Sequence, residues 1–215
     1  MIDIDNYAQI VPLLKFEEGT FYYLQVLQRK KDNPEMSWQT KQRYFKFIRS
    51  LEELEIYNKE AREIADFYNA RVYISLTPRS FEKLSLESLV ELSTRIKNKD
   101  YNNNFKIFEK LALLPGCAKK DGKLWMIDYD EKSDLHVSDL IIFLKNTYKV
   151  PFKELLETVN GYHIIIEPFN LQNLGKPLDQ DYNYKIDKYE FGLKFDCNAL
   201  LYYRRRNSYN CDNEF

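Results

Sequence analysis

Residues 119–132 read KKDGKLWMIDYDEK, which is a polar turn, then the apolar run LWMI, then two acids, Asp128 and Asp130, one residue apart. The run is short, apolar and bounded by polar residues, which is typical of a buried β-strand. Residues i and i+2 of a strand project to the same face of a sheet. The stretch therefore predicts a strand over residues 123–130 whose two carboxylates lie on one face, and such a pair is a candidate metal site.

Further runs on both sides of this strand predict an α/β (α+β) fold. Aromatic and β-branched runs predict strands over residues 20–31, 43–50, 72–76, 162–169, 189–195 and 199–204. Apolar residues at helical spacing predict helices over residues 51–69, 85–99, 102–116, 136–149 and 151–159. Ser138 is the expected N-cap of the fourth helix. The segments most like linkers are residues 102–104 and 175–184.

The composition fits one globular domain over residues 1–215, or two closely joined halves. The chain is 44% hydrophobic and has only 6 Gly and 7 Pro, so it has enough apolar material for a sizeable core. Its 32 basic and 33 acidic residues nearly balance. This balance excludes a protein that holds duplex DNA through phosphate neutralisation alone, so any contact with nucleic acid has to be local.

The sequence also predicts a cytoplasmic protein. No apolar run reaches the roughly 18 residues that a membrane span needs, and residues 1–19 lack the features of a signal peptide. Cys117, Cys197 and Cys211 are odd in number and have no metal-ligand spacing. We therefore expect free thiols in a reducing compartment and no zinc site.

Two residues further along the chain change the interpretation of the acidic pair. Alone, Asp128 and Asp130 also fit a strand that ends in a solvated turn, because a chain this acidic contains such a pair by chance. His163 opens an apolar strand directly after an Asn-Gly turn signal, and Asp196 lies between the last two predicted strands. Each also has an ordinary interpretation, as a half-buried histidine and as a turn residue. All four residues, however, lie at the ends of predicted strands, where α/β sheets build their sites.

In this order the residues resemble the motifs of the archaeo-eukaryotic primase superfamily, the primase-polymerases. That family carries a strand that ends in hydrophobic-Asp-hydrophobic-Asp, then a small residue-x-His, then a hydrophobic-Asp. The matching segments are Met126-Ile127-Asp128-Tyr129-Asp130, Gly161-Tyr162-His163 and Phe195-Asp196. The resemblance extends over about Tyr22 to Tyr203, and residues 70–80 and 193–203 look like the small phage-type members.

The resemblance implies a fold, an activity and a place in the cell. The expected fold is a primase-like catalytic core. In it an N-terminal αβ unit, residues 1–115, packs on an RRM-like unit, residues 116–205, which has a mixed or antiparallel sheet. The site would lie in the cleft between the units, and residues 206–215 would be a tail. The expected protein is a DNA/RNA primase-polymerase of a phage or mobile-element replication system, working in the host cytoplasm.

The resemblance also implies that Asp128, Asp130 and Asp196 are the catalytic metal ligands. Transfer of a nucleotide to a 3′-hydroxyl is an in-line displacement at phosphorus that two divalent cations assist. Mg²⁺ or Mn²⁺ takes oxygen ligands, so three converging carboxylates suit two ions whose coordination is completed by substrate phosphates. The expected partners are nucleoside triphosphates, single-stranded DNA or a primer-template, and a helicase or another replication protein.

Nucleotide contacts are expected from His163 and Gly161 by the same resemblance. Lys194 precedes Asp196 by two residues on the same strand face and is a further candidate, with a solvated lysine as the alternative. Gly161 replaces the serine of many relatives, but it keeps the close backbone approach that glycine permits. The chain shows no zinc-binding stem and no helical accessory domain. Three possibilities stay open: a minimal core that initiates with a partner, an enzyme that extends primers, and an inactive member.

Weaker patterns indicate contact with a single-stranded template. Arg79 follows a predicted strand and is a candidate for the template groove, with a surface arginine as the alternative. Arg204, Arg205 and Arg206 form a compact basic cluster beside tyrosines that suit base stacking. A solvated tail is the alternative for this cluster.

Two other functions compete with the primase-polymerase. Lys119-Lys120-Asp121-Gly122 matches the Lys-x-Asp-Gly motif of ATP-dependent ligases, in which Lys119 would take AMP covalently. The downstream ligase motifs are missing, and KKDGK is also a natural polar turn. The other alternative is a catalytically inactive replication accessory protein that binds nucleic acid with the same fold.

Overall fold

The computed structural model of the chain describes residues 3–102 and 106–205. Within these ranges the chain forms two antiparallel β-sheets and five α-helices. The α+β class predicted from the sequence is therefore confirmed. No helix in the described part combines the length and the apolar composition that a bilayer crossing requires.

The strands and helices of the described residues have the following bounds. The strands are β1 (Asp3–Asp5), β2 (Thr20–Arg29), β3 (Thr40–Ile48), β4 (Arg71–Ser75), β5 (Arg79–Ser80), β6 (Trp125–Tyr129), β7 (Phe152–Glu157), β8 (Tyr162–Ile166), β9 (Asn183–Ile186), β10 (Tyr189–Lys194) and β11 (Asn198–Arg204). The α-helices are α1 (Tyr7–Ile10), α2 (Leu51–Tyr68), α3 (Phe81–Lys97), α4 (Ile107–Ala112) and α5 (Asp134–Tyr148).

The first sheet has the strand order β1-β11-β4-β2-β3, with β5 paired to the start of β2. One of its faces packs on α2, which buries Leu54, Ala61 and Ala65 at helical spacing. Alternate residues of β2, such as Tyr22 and Leu24, point into the same core. Part of the opposite face packs on α3 and α4, where Phe21 lies in one cluster with Leu84 and Ile107. The part that carries Tyr203 and Tyr73 lies near Val159, just after β7, and forms one wall of a cleft.

The second sheet has the order β7-β8-β6-β10-β9, so β6 lies at its centre. Helix α5 covers one face, where Leu140 packs in one cluster with Ile127 of β6 and Ile164 of β8. On the other face, Met126 and Ile165 belong to the same buried cluster as the core of the first sheet. Residues that alternate along β6 therefore face two different cores.

One segment predicted as a helix, residues 151–159, is instead the strand β7. Residues 152–157 pair antiparallel with β8, so pairing with a neighbouring strand overrides the local helical pattern. The stretch 175–184, predicted to be linker-like, contains the start of β9, which pairs with β10. Residues 175–182 form no strand or helix, as predicted, and both β7 and β9 pair with the strand that follows them in the chain.

Helix α5 begins earlier than its apolar pattern predicts. The side chain of Ser133 accepts a hydrogen bond from the backbone N–H of His136, which makes Ser133 the N-cap in place of Ser138. Helix α3 likewise begins earlier, at Phe81. In α3 the side chain of Ser80 accepts a hydrogen bond from the backbone N–H of Lys83, which makes Ser80 its N-cap.

The last strand crosses back from the second sheet to the first. β10 ends at Lys194 in the second sheet, whereas β11 pairs with β4 and β1 in the first. The division expected at residues 115 and 116 assigns residues 198–204 to the second unit, but these residues build the first sheet. A crossover of residues 195–197 therefore joins the two sheets.

The loop between β2 and β3, residues 30–39, is anchored to the turn that follows α2. Arg71 and Asp32 form a bidentate ion pair with an Nη2–Oδ1 distance of 2.5 Å, and their side chains are only 6% and 7% exposed. The side-chain amide of Asn33 donates to the backbone carbonyl oxygen of Asn69. The side-chain amide of Asn69 donates to the backbone carbonyl oxygen of Asp32. These contacts hold a polar loop in one conformation.

We expect Asp32→Ala to lower the free energy of unfolding by about 3 to 5 kcal/mol, because the guanidinium of Arg71 stays buried without its partner. Asp5→Ala is the matched control. Asp5 also forms a bidentate pair, with Arg62, but these side chains are 48% and 26% exposed, so its loss should cost less than about 1 kcal/mol. Urea unfolding followed by circular dichroism compares the variants, and equal losses would contradict the role given to the buried pair.

Candidate functional site

The acidic pair lies on the face of β6 that points toward the first sheet. Exposure along this face increases from Met126, at 6%, through Asp128, whose side chain is 36% exposed, to the exposed Asp130. The strand register pairs Asp128 with His163 of β8, and Nε2 of His163 is 3.5 Å from Oδ1 of Asp128. The structure thus brings three of the candidate residues together at the mouth of the cleft between the sheets.

Charges from both sheets act on Asp128. Burial raises the pKa of its carboxyl group above the usual range, and the negative charge of Asp130 raises it further. Lys194 of β10, together with Arg29 and Lys31 at the end of β2, lowers the same pKa, so these cations stand near the carboxylate. One wall of the cleft therefore carries the acids, and the first sheet supplies cations opposite them.

His163 is a neutral imidazole at pH 7. Burial, and after it the positive charge of Arg71, lowers the pKa of His163 from 6.5 to about 4. A neutral imidazole has one N–H donor and one acceptor, and Nε2 is the nitrogen that faces Asp128. Nδ1 is buried and has no hydrogen-bond partner among the described residues. The imidazole thus lies beside the Asp128 carboxylate without adding a charge.

Gly161 allows the β7–β8 turn to lie against the end of β6. A Cβ atom at this position would stand 2.0 Å from the carbonyl oxygen of Tyr129 and 3.0 Å from Cα of Asp130. The N–H of Gly161 donates to Oγ1 of Thr158, and the N–H of Thr158 donates to the Gly161 carbonyl oxygen. Gly161 is therefore required sterically and holds the backbone of Asp130 in place, while its contact with a nucleotide stays a prediction.

Asp196 lies away from the acidic pair. Strand β10 runs antiparallel to β6 and already places Lys194 opposite Met126. Each further residue of an extended chain advances by about 3.3 Å, so Asp196 is carried toward the end of β6 that does not bear Asp128. There, in the crossover, both carboxylate oxygens of Asp196 accept from Nη2 of Arg79, at 2.9 and 2.8 Å.

Arg79 is part of the protein interior. It is 1% exposed, its Nη1 donates to the carbonyl oxygen of Leu114 at 2.6 Å, and its guanidinium carbon lies 5.0 Å from the ring centroid of Tyr23. The structure contradicts the predicted place of Arg79 in a template groove, because the side chain is held against Asp196 inside the fold.

The three predicted metal ligands therefore do not converge. Over residues 3–102 and 106–205, no three His, Cys, Asp or Glu side chains form a group that could hold a metal ion. Asp128 and Asp130 are a pair of oxygen donors at the cleft mouth, whereas Asp196 is engaged by Arg79. The pair suits Mg²⁺, which proteins often bind through one or two carboxylates plus substrate phosphates. The set of three does not fit.

A cavity of about 620 Å³ borders the acidic pair. Its charged lining is mostly acidic: Asp128, Asp130, Glu131, Asp179, Glu190 and Lys188. Gly192, which lies opposite Asp128 in the register, also lines it, and a Cβ atom there would stand 3.0 Å from Oδ1 of Asn183. The volume is in the range of small-molecule sites.

The basic end of the chain points away from this cleft where it is described. Arg204 forms ion pairs with Asp3 at 3.3 Å and with Asp66 of α2 at 3.7 Å. Arg205 is exposed after the end of β11. Arg206 and the tail of residues 206–215 lie outside the described residues. A template contact by Arg204 and Arg205 stays a prediction.

The side chain of Lys119, the nucleophile of the ligase alternative, forms an ion pair at the surface. Its Nζ lies 2.5 Å from Oε2 of Glu17, and its backbone N–H donates to the carbonyl oxygen of Pro78. An adenylated lysine needs a free amine, and this amine forms an ion pair. The geometry around Lys119 thus gives the ligase alternative no support.

A scan against protein-family models and searches of curated proteins and of solved structures gave no match for this chain. The chemistry of the site therefore has to follow from its own residues. Sequence reasoning missed Arg29, Lys31 and Gly192. The available signals were weak: a basic pair at the end of a long strand, and a glycine within a strand, which often marks a close approach.

We expect His163 to make the metal-free protein sensitive to acid. Its pKa is lower in the folded chain, about 4 against 6.5, so the folded state binds fewer protons between these values and stability falls as the pH falls from 6.5 to 4. The loss should be about 3 kcal/mol, since each pKa unit corresponds to about 1.4 kcal/mol.

Urea unfolding of wild type and His163→Gln between pH 4 and pH 7 isolates this contribution. The free energy of unfolding of wild type, relative to that of His163→Gln, should fall by about 3 kcal/mol as the pH falls from 6.5 to 4. His136→Gln, in the first turn of α5, is the matched control; its imidazole pairs only with the exposed Glu131, so its loss should change the curve by less than about 1 kcal/mol. A wild-type curve for His163→Gln would show that His163 is not buried in its neutral form.

Proposed function

We propose that the chain is a metal-dependent nucleotidyltransferase of the primase-polymerase type, which adds nucleotides to a 3′-hydroxyl on a single-stranded template with Mg²⁺ or Mn²⁺. The observation that carries the proposal is the placement of Asp128, Asp130 and His163 at one mouth of the cleft, facing Arg29 and Lys31. The motif order that resembles the primase superfamily supports it independently. The substrates would be nucleoside triphosphates, and the replication system would be that of a phage or mobile element.

Asp128 and Asp130 would hold the divalent cation together with the phosphates of the nucleotide. A bound divalent cation lowers the pKa of the attacking hydroxyl and neutralises charge on the leaving pyrophosphate. The raised pKa of Asp128 fits this role, because a partly buried carboxylate beside a second one is an unfavourable arrangement that a cation relieves. A bound divalent cation would therefore stabilise this pair of carboxylates.

His163 and Lys194 would position the nucleotide around that pair. Nε2 of His163 lies 3.5 Å from Oδ1 of Asp128, and in the tautomer that carries its proton on Nε2 it would donate to a phosphate oxygen bound next to Asp128. Lys194 is the cation of β10 that acts on Asp128, and it suits a phosphate as a point charge. The mostly acidic cavity beside the pair would repel a triphosphate that arrives without cations, so nucleotide binding should depend on the metal.

One observation favours the inactive alternative. In the resemblance Asp196 is the third metal ligand, but here both of its oxygens accept from the buried Arg79. A chain that keeps the cleft and its cations while the third carboxylate serves the fold would bind nucleic acid without turnover. This accessory protein is the second candidate function, and incorporation of nucleotides separates it from the first.

We expect Asp128→Asn to reduce nucleotide incorporation by at least about 100-fold, because it removes a charged group that acts in the transition state. The measurement is extension of a labelled primer on a single-stranded template, with and without Mn²⁺, together with de novo synthesis from nucleotides alone. Asp139→Asn, at an exposed position on α5, is the matched control and should retain activity.

The outcomes separate the three functions. Incorporation that survives Asp128→Asn would contradict the proposed site. A folded wild-type protein that binds the template but incorporates nothing under any metal condition would support the accessory protein. Covalent labelling of the protein by α-labelled ATP, lost in Lys119→Ala, would instead identify a ligase-like enzyme.

A further inference from the structure

The tip of the β2–β3 hairpin presents an exposed aromatic ring among lysines. We call residues 30–41 the hairpin tip. Trp38 is 51% exposed, and Nζ of Lys41 lies 4.9 Å from the centroid of its ring. Lys30 and Lys31 precede it in the same loop. A single exposed tryptophan is unremarkable in itself, but here it is combined with three cations and a fixed backbone.

The lysines of the hairpin tip are available for a ligand. In the described part of the chain, Lys30, Lys31 and Lys41 form no ion pair, whereas Asp32 in the same loop is fully engaged by the buried Arg71. Glu35 is the one other acid of the loop. The tip therefore has a local excess of positive charge in a chain whose charges otherwise balance.

The hairpin tip is also preorganised. The contacts of Asp32, Asn33 and Asn69 hold the loop against the turn after α2, and the backbone N–H of Lys30 donates to the carbonyl oxygen of Gln39. A ligand that binds to Trp38 therefore does not have to order the backbone first, which makes binding stronger for the same contacts.

The position of the tip relates it to the cleft. Strand β2 ends at the tip, where the guanidinium Nη1 of Arg29 lies 3.3 Å from the hydroxyl oxygen of Tyr73. Arg29 and Lys31 are also the first-sheet cations that act on Asp128 across the cleft. A chain of phosphates that passes along these residues would thus reach the acidic pair.

We propose that the hairpin tip binds single-stranded nucleic acid, with one unpaired base stacked on Trp38 and the neighbouring phosphates on Lys30, Lys31 and Lys41. The inference rests on the proposed function, since it names the surface that holds the template strand. Aromatic rings bind exposed base faces with little regard to sequence. In a duplex the base faces are stacked on neighbouring base pairs, so the tip binds an unpaired strand more tightly than a duplex.

The test is a titration with fluorescently labelled oligothymidylate or oligouridylate of about 12 nucleotides, followed by anisotropy at low salt in EDTA. Trp38→Ala should raise the Kd at least about tenfold, and Lys31→Ala should raise it and reduce its salt dependence. Trp38→Phe should keep most of the affinity. Phe67→Ala and Lys59→Ala, at exposed positions of α2, are the matched controls and should bind as wild type does.

Intrinsic fluorescence gives a second readout, because the chain has 2 tryptophans. Trp125 packs against Phe169 and Phe195, so the strand should quench Trp38 and leave the emission of Trp38→Phe unchanged. The inference is overturned if Trp38→Ala binds the single strand as tightly as wild type does, or if wild type binds no oligonucleotide. It is also overturned if Trp38→Ala weakens the binding of a duplex of equal length as much as it weakens the binding of the single strand. Since EDTA prevents turnover, a protein that binds the strand but incorporates nothing contradicts only the proposed activity.

Discussion

The antiparallel register of β6 with its two neighbours decides which side chains meet in this protein. On one side, β8 sets His163 beside Asp128. On the other side, β10 sets Gly192 opposite Asp128 and runs on in the direction that carries Asp196 away. The same register places the shared core at one end of β6 and the acidic pair at the other. The candidate site is thus a consequence of strand direction: antiparallel partners bring the end of one strand to the start of the next.

In the crossover between β10 and β11, Asp196 forms an ion pair with Arg79, whereas its motif implies a metal ligand. Its carboxylate is the counter-ion of Arg79, which is 1% exposed and would otherwise leave a charge buried without a partner. The pair also fixes the point where the chain passes from the second sheet to the first. A residue in this position can be retained for the fold alone, so a matching motif does not by itself establish a metal ligand. The metal site proposed here therefore rests on Asp128 and Asp130.

Local pattern accounts for most of the strands and helices but for little of the site. The apolar run Leu124–Ile127 and the apolar run after His163 were sufficient to predict β6 and β8, because buried strands are often continuous apolar runs. Residues 152–157 were mistaken for a helix, because their strand character comes from pairing with β8 and not from their own pattern. The separation of Asp196 from the acidic pair could not be predicted, since strand order and direction are set by contacts between distant segments. The effect of Arg29 on the pKa of Asp128 has the same long-range origin.

Binding of Mn²⁺ tests most directly whether two carboxylates, and not three, form the metal site. The electron paramagnetic resonance signal of free Mn²⁺ reports its affinity in the presence of a nucleoside triphosphate analogue that cannot be transferred. Asp128→Asn and Asp130→Asn should each weaken binding by more than about tenfold, since even outer partners of a metal site have effects of this size. Asp196→Asn should bind Mn²⁺ as wild type does, provided that circular dichroism shows a folded chain. Equal loss of Mn²⁺ affinity in folded Asp196→Asn and in Asp128→Asn would contradict the two-carboxylate site.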